Sequence, residues 1–266
     1  MASLNLCLSV FICVHLWKKI ELGALRRNGE MKKKLKLLIV EDEEAIRSGL
    51  IDLFVYHGYE VDYADDGRAG LDKALSGAFD LILLDVMLPG INGFEICERI
   101  REKEREQPII MLTAKSSDEE IIQGLSLGAD DYVAKPFSVA QLVLRVQAVL
   151  RRSRVVQSQQ QTIALGEDVE LDVLNLSARV GSRTVTFTRR EMEILQYLHA
   201  NAERPVSRAE LLNKVWGYAR DLDLETRTVD IHIAKLRRKI EQNPANPRFL
   251  VTIRGAGYRL KEAPSP

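Results

Sequence analysis

Between Lys36 and Arg152 five short, almost wholly apolar runs alternate with amphipathic ones: "LKLLIV", "YEVDYA", "DLILLD", "PIIMLT" and "DYVAK". Runs such as "LLIV" and "LILL" are apolar on successive residues, so as strands they must be covered on both faces. That is the mark of a parallel sheet flanked by helices. The intervening segments "EEAIRSGLIDLFVYHG", "GRAGLDKALSG", "GFEICERIREKE" and "SSDEEIIQGLSLG", with "SVAQLVLRVQAVLRR" after the fifth strand, read as the helices. In the first, Ile46, Leu50, Leu53 and Phe54 share one face and Gly58 supplies the stop. The expected fold is α/β, a flavodoxin-like (βα)5 unit over residues 31–152.

The pattern then changes. "RRSRVVQSQQQ" is polar and aperiodic and reads as a linker, centred on 153–161. From 162 to 266, "IALGEDVELDVLNLSARVGSRTVTFT" has the short runs and turn residues of an antiparallel sheet. Helices are expected at Arg189–Ala200, Ser207–Val215 and Glu225–Glu241, and a hairpin at "FLVTIRGAGYRL". The formal net charge of zero hides an imbalance: residues 31–150 carry 14 basic against 22 acidic side chains, residues 151–266 carry 20 against 14. A net +6 module behind a net −8 one points to a polyanion meeting only the second. Three cysteines, Cys7, Cys13 and Cys97, suit a reducing compartment. Cys97 falls on an apolar helix face and reads as core.

Ligands of open parallel sheets bind at the carboxyl ends of the strands. There the sequence places Glu41 and Asp42 after strand one, Asp85 at the end of strand three, Thr113 after strand four and Lys135 after strand five. Three crowded carboxylates require a counter-ion. A hard divalent cation on oxygen ligands, Mg2+, meets that need, and the chemistry implied is phosphoryl transfer onto Asp85. Glu43, Glu44, Asp65 and Asp66 read instead as caps or solvated acids, and Asp62 and Asp80 as surface acids.

"VEDE", "LLDVMLPGINGFE", "MLTAK" and "GADDYVAKPF" resemble the receiver domain of two-component response regulators. The resemblance implies that Asp85 is the phosphoacceptor. It gives Glu41, Asp42, Asp85 and the Met87 backbone carbonyl as Mg2+ ligands, Lys135 as partner of the phosphoryl group, and Thr113 with Tyr132 as the switch pair. It also implies a cis Lys135–Pro136 bond, a sensor histidine kinase as phosphodonor and a homodimer through the fourth helix, fifth strand and fifth helix. Two positions of that face depart from the family pattern: Ile121 and Gln141 stand where relatives carry a basic residue and a Glu. Asp130, Asp131, Arg145 and Arg152 match the remaining ionic partners.

On the segment Glu225–Glu241, Val229, Ile233, Leu236 and Ile240 form the buried stripe. At 100° per residue Arg227, Ile231, Ala234, Lys235 and Arg238 point away from it, with His232 and Arg237 flanking. "TRREMEILQYL", "SRAELLNKVWG", "TRTVDIHIAKLRRKI" and "IRGAGYRL" resemble the C-terminal winged helix-turn-helix domain of OmpR/PhoB regulators. By that resemblance Arg227, Thr228, Ile231, His232, Lys235, Arg237 and Arg238 lie at the major groove and Arg254 on the wing. "GYARDLDLE" matches a region that touches RNA polymerase. The function expected is a phosphorylation-dependent, DNA-binding transcriptional regulator in the cytoplasm, not an enzyme. The alternative weighed is a regulator that binds DNA without phosphorylation and uses its receiver only to dimerise. A phosphohydrolase of the haloacid dehalogenase kind would need an acid two residues after Asp85, where Met87 stands.

The leader "MASLNLCLSVFICVHLWKKI" is too short and too polar for a spanning helix, and its charge follows rather than precedes the apolar run. Residues 1–30 are expected to be translated leader, or an extension tethering the chain to a partner or membrane surface. The functional start is placed at Met31.

Overall fold

The computed structural model describes residues 34–113, 124–125, 127–152, 162–218 and 227–261. The leader, Ile121 and the greater part of "GYARDLDLE" lie outside them. The first five strands are β1 (Lys36–Val40), β2 (Glu60–Ala64), β3 (Leu81–Asp85), β4 (Ile109–Thr113) and β5 (Asp131–Ala134). They pair in parallel in the order β2-β1-β3-β4-β5, the flavodoxin-like arrangement read from the sequence. The helices between them are α1 (Glu44–Tyr56), α2 (Gly67–Ala74), α3 (Gly93–Lys103) and, after β5, α4 (Val139–Arg152). Of the segment between β4 and β5, residues 124, 125 and 127 are helical.

The pleat sorts the apolar residues into two layers. Leu37 and Ile39 face Leu50 and Phe54 of α1 and Leu142 and Val146 of α4. Leu38 and Val40 face Leu71 of α2 and Ile96, Cys97 and Ile100 of α3. Cys97 is thus core, as expected. Asp66 caps α2 by accepting from the Ala69 amide at 2.8 Å, and Asn92 caps α3 from Glu95 at 2.9 Å. Gly93 opens α3 directly against the Asp85 carbonyl; a Cβ there would lie 2.1 Å from that oxygen. The strand carrying Asp85 and the helix after it can meet this closely only with glycine at the junction.

The second half holds the antiparallel sheet β6 (Thr162–Gly166), β7 (Val169–Asp172), β8 (Ser177–Val180) and β9 (Arg183–Thr186). Then come α5 (Arg189–His199), α6 (Arg208–Leu211), α7 (Arg227–Ile240) and the hairpin β10 (Leu250–Ile253) and β11 (Gly257–Leu260). A capping box joins Thr188 to Glu191 at the start of α5. The helix expected over Ser207–Val215 instead shortens to α6 and continues as one π-helical turn, Leu212–Trp216, closed by Gly217 at φ +76°. That turn carries the Trp216 ring fully into the core.

Candidate functional site: an acidic pocket and a covered helix

At the carboxyl end of the sheet, Glu41, Asp42 and Asp85 bring carboxylate oxygens within 4.8 Å of one another. Lys135 Nζ stands between two of them, 2.7 Å from Glu41 Oε2 and 3.0 Å from Asp85 Oδ2. Glu41 and Asp85 are buried and Asp42 is exposed. Burial pushes the Glu41 carboxyl up to about 7, with Lys135 opposing and the Asp85 charge adding to the rise. Burial also works against the Lys135 ammonium, but its two carboxylate partners outweigh that and raise its pKa. An all-oxygen donor set with this excess of negative charge fits a hard divalent cation such as Mg2+.

The surrounding elements hold this pocket in place. Arg47 of α1, not singled out from the sequence, donates to the carbonyls of both Glu41 and Asp42 at 2.9 Å. Thr113 is fully buried at the end of β4, and the Lys135–Pro136 bond is cis as expected. The Met87 amide lies 3.3 Å from Asp85 Oδ1. Tyr132 is buried on the sheet face that also holds Met111, Leu125 and Ala129.

The stripe Val229, Ile233, Leu236 and Ile240 of α7 is buried in the second domain's core, as read from the sequence. The opposite side departs from the helical wheel. Ile231, expected to point outward, is only 8% exposed and packs into the receiver cluster with Leu125 and Tyr132. Thr228 is buried as well, and His232 is 1% exposed, its ring edge-on to Trp216 at 5.3 Å. Lys235 turns inward to Glu191 at 2.8 Å and reaches the Leu125 carbonyl at 3.4 Å. Arg237 is bonded to Leu250 O and Thr252 Oγ1 of the hairpin. Ala234, Arg238 and Arg254 are exposed; α7 begins at Arg227. A helical wheel measures angle from the helix's own core, so it cannot register a second domain closing on the far side.

That second contact is extensive within the single unit formed by Leu35–Pro266. Trp216 Nε1 donates to the Asp130 carbonyl at 3.0 Å, and Arg151 donates to Gly217 O at 3.2 Å. Tyr218 Oη donates to the Asp131 carboxylate, whose same oxygen accepts from Arg145 at 2.6 Å. The Arg145 guanidinium lies 5.0 Å from the centre of the Tyr218 ring. The Asp130 carboxylate is engaged inside the receiver, by Arg101 at 2.9 Å and the Ile109 amide at 2.9 Å. Asp130, Asp131 and Arg145, matched by resemblance to a dimer face, are therefore all committed within one chain. Nothing in the sequence signalled Trp216 or Tyr218 as partners of that face.

Two family models cover most of the chain: "Response regulator receiver domain" over residues 37–147 and "Transcriptional regulatory protein, C terminal" over 182–260. The sensory transduction protein RegX3 of Mycobacterium tuberculosis is 41% identical over 226 residues, covering 85% of this chain and 98% of that protein. The chain is an OmpR/PhoB-type response regulator. Response regulator ArlR of Staphylococcus haemolyticus is likewise 41% identical over 226 residues, with 85% and 99% covered. Among solved structures, a point mutant of RitR aligns with a TM-score of 0.66 at 26% identity, over 86% of this regulator and 100% of that chain. Receiver and effector together make this a phosphorylation-dependent transcriptional regulator. Among the described residues no helix is long and apolar enough to cross a membrane.

Proposed function

We propose that Asp85 accepts the phosphoryl group, that the acidic pocket holds Mg2+, and that phosphorylation releases a DNA-binding helix which the receiver covers. The observation that carries the reading is the convergence of Glu41, Asp42, Asp85 and Lys135 at one end of the sheet. An Asp85 oxygen attacks phosphorus, the bond to the kinase histidine breaks, and the histidine nitrogen leaves. Glu41, Asp42, Asp85 and the Met87 carbonyl would hold Mg2+, which supplies positive charge to phosphoryl oxygens. Lys135 lies within reach of Asp85 and adds its own charge to the same group. Thr113, at the end of the neighbouring strand, would offer a hydroxyl to it, and Tyr132 lies one strand further, in the apolar cluster that Ile231 joins.

The closed arrangement supports phosphorylation as a release signal. Ile231 is withheld from a duplex while α7 lies on the receiver, and Lys235 is held there by the Leu125 carbonyl as well as by Glu191. Once released, α7 presents Arg227, Thr228, Ile231 and Arg238 to the major groove with Arg254 on the wing. A homodimer through the freed face, recruitment of RNA polymerase by residues 217–225, and a cytoplasmic setting complete the reading. Treatment with acetyl phosphate and Mg2+, followed by binding to selected promoter DNA, tests it. Wild type should gain affinity and Asp85→Asn should not. Equal affinity before and after treatment in both favours the phosphorylation-independent regulator.

A further inference from the structure

The basic face of α7 is less available than its composition suggests. Glu191, fully buried in α5, takes Lys235 Nζ on Oε1 at 2.8 Å and Lys239 Nζ on Oε2 at 2.6 Å. The carboxylate is fixed independently of the lysines, because Oε2 also accepts from the Thr188 amide at 2.9 Å in the capping box. Both lysine side chains are largely covered, at 12% and 24% exposure. Lys239 also donates to the Thr186 carbonyl at 2.8 Å and lies 5.2 Å from the Phe187 ring centre. Glu191, Lys235 and Lys239 all belong to the second domain, so the ion pairs can persist when the receiver moves away, although Lys235 then loses its contact with the Leu125 carbonyl.

We infer that Glu191 is a positioning residue for DNA binding: it withdraws the ammonium groups of Lys235 and Lys239 from the phosphate-contacting side of α7. This rests on α7 being the helix presented to DNA. Arg237 is likewise tied to the hairpin, so Arg238 is the exposed guanidinium of the helix among the described side chains. The consequence is a weak sequence-independent attraction, with fewer phosphates neutralised than the count of basic residues implies. Each phosphate contact contributes about 0.9 to the slope of log affinity against log salt. Removing the carboxylate frees the Lys235 stem and leaves Lys239 held only by the Thr186 carbonyl and the Phe187 ring, so that one or both ammonium groups turn to the nearest anion, which on this face is the DNA backbone.

The test uses the full-length protein treated with acetyl phosphate and Mg2+, and a mixed-sequence duplex titrated from 50 to 200 mM NaCl, a range over which one phosphate contact changes affinity about 3.5-fold and two about 12-fold. Glu191→Gln should steepen the salt slope by about 0.9 to 1.8, and Arg238→Met should flatten it by about 0.9. A purely structural role for Glu191 would change stability without steepening the slope. An unchanged or shallower slope in folded Glu191→Gln overturns the inference. An unchanged slope in Arg238→Met overturns the placing of α7 on DNA instead. Should Glu191→Gln not fold, acylation of wild-type lysines decides. Lys235 and Lys239 should stay protected relative to exposed Lys103 with and without DNA. Lysines that react in the phosphorylated protein and become protected only by DNA refute it.

Discussion

Tyr218→Phe tests the closed form most directly. The substitution deletes one hydroxyl and keeps the ring beneath Arg145, and Asp131 retains its Arg145 partner. The hydroxyl is buried at the domain boundary, where burial, and then the Asp131 charge, push its pKa well above the ordinary value, so it stays a donor throughout the accessible pH range. A hydrogen bond to a charged acceptor is worth about 1.5–3 kcal/mol, and this one exists only while the domains are closed. Its loss moves the closed-to-open equilibrium on the order of 10- to 150-fold, at about 1.4 kcal/mol per tenfold. Apparent DNA affinity scales with the open fraction, so the unphosphorylated variant should gain by the same factor until the open form predominates.

The assay is fluorescence anisotropy on a labelled duplex selected with phosphorylated wild type. Tyr218→Phe should bind it without phosphorylation, and Asp85→Asn/Tyr218→Phe should keep the gain, because the latch lies outside the phosphate pocket. Binding of unphosphorylated Tyr218→Phe within twofold of wild type would show that the Tyr218–Asp131 contact does not restrain the helix.

Other consequences follow from buried groups. Burial pushes the His232 imidazole down to about 3 from its ordinary 6.5, against the pull of Glu191, so its contribution to stability is complete above pH 6.5 and is lost as pH falls toward 3. The second domain's melting should therefore weaken on acidification from 6.5 to 4.5 by up to about 1.4 kcal/mol per pH unit, and His232→Leu should flatten that stretch; parallel profiles would contradict it. Glu191, held down to about 2 by Lys235 and Lys239 despite its burial, adds a loss of the same sign below pH 4.5. Arg101→Met strips the buried Asp130 carboxylate of its cation and the Gly128 carbonyl of a donor, so receiver unfolding in urea should become easier by about 3–5 kcal/mol. A change under 1 kcal/mol there would mean that the pair is dispensable. Gly257→Ala places a Cβ 2.0 Å from the Val206 carbonyl at φ +124°, and should lower the melting temperature of the second domain while leaving phosphorylation intact.

Most of what decides the receiver is local and therefore legible in the sequence. Successive apolar residues in "LLIV" and "LILL" require two covered faces, and the parallel order then sets Glu41, Asp42, Asp85, Thr113 and Lys135 at the same end of the sheet. Asp66 as a cap and Cys97 as core follow from equally short-range rules. Legibility stops where one domain supplies the environment of the other. Ile231 reads outward because its own helix gives it no partner; it joins the receiver's apolar cluster, whose members Leu125 and Tyr132 lie about a hundred positions earlier in the chain. Lys235 reads as a free cation because Glu191, on another helix, presents in sequence only as the acid of a capping box.

The same residues bear on how the switch works. Asp131 and Arg145 carry the face-defining charges by resemblance, yet here they close on Tyr218, at the edge of the segment matched to polymerase contact. Within this face the Asp131 and Arg145 charges neutralise each other, and opening it exposes that pair together with Ile231. Parting the Trp216–Asp130 and Tyr218–Asp131 contacts together with the Ile231 packing would therefore free the ionic pair and α7 in a single step. A homodimer that used Asp131 and Arg145, as proposed, would therefore exclude domain closure, and domain closure would exclude it.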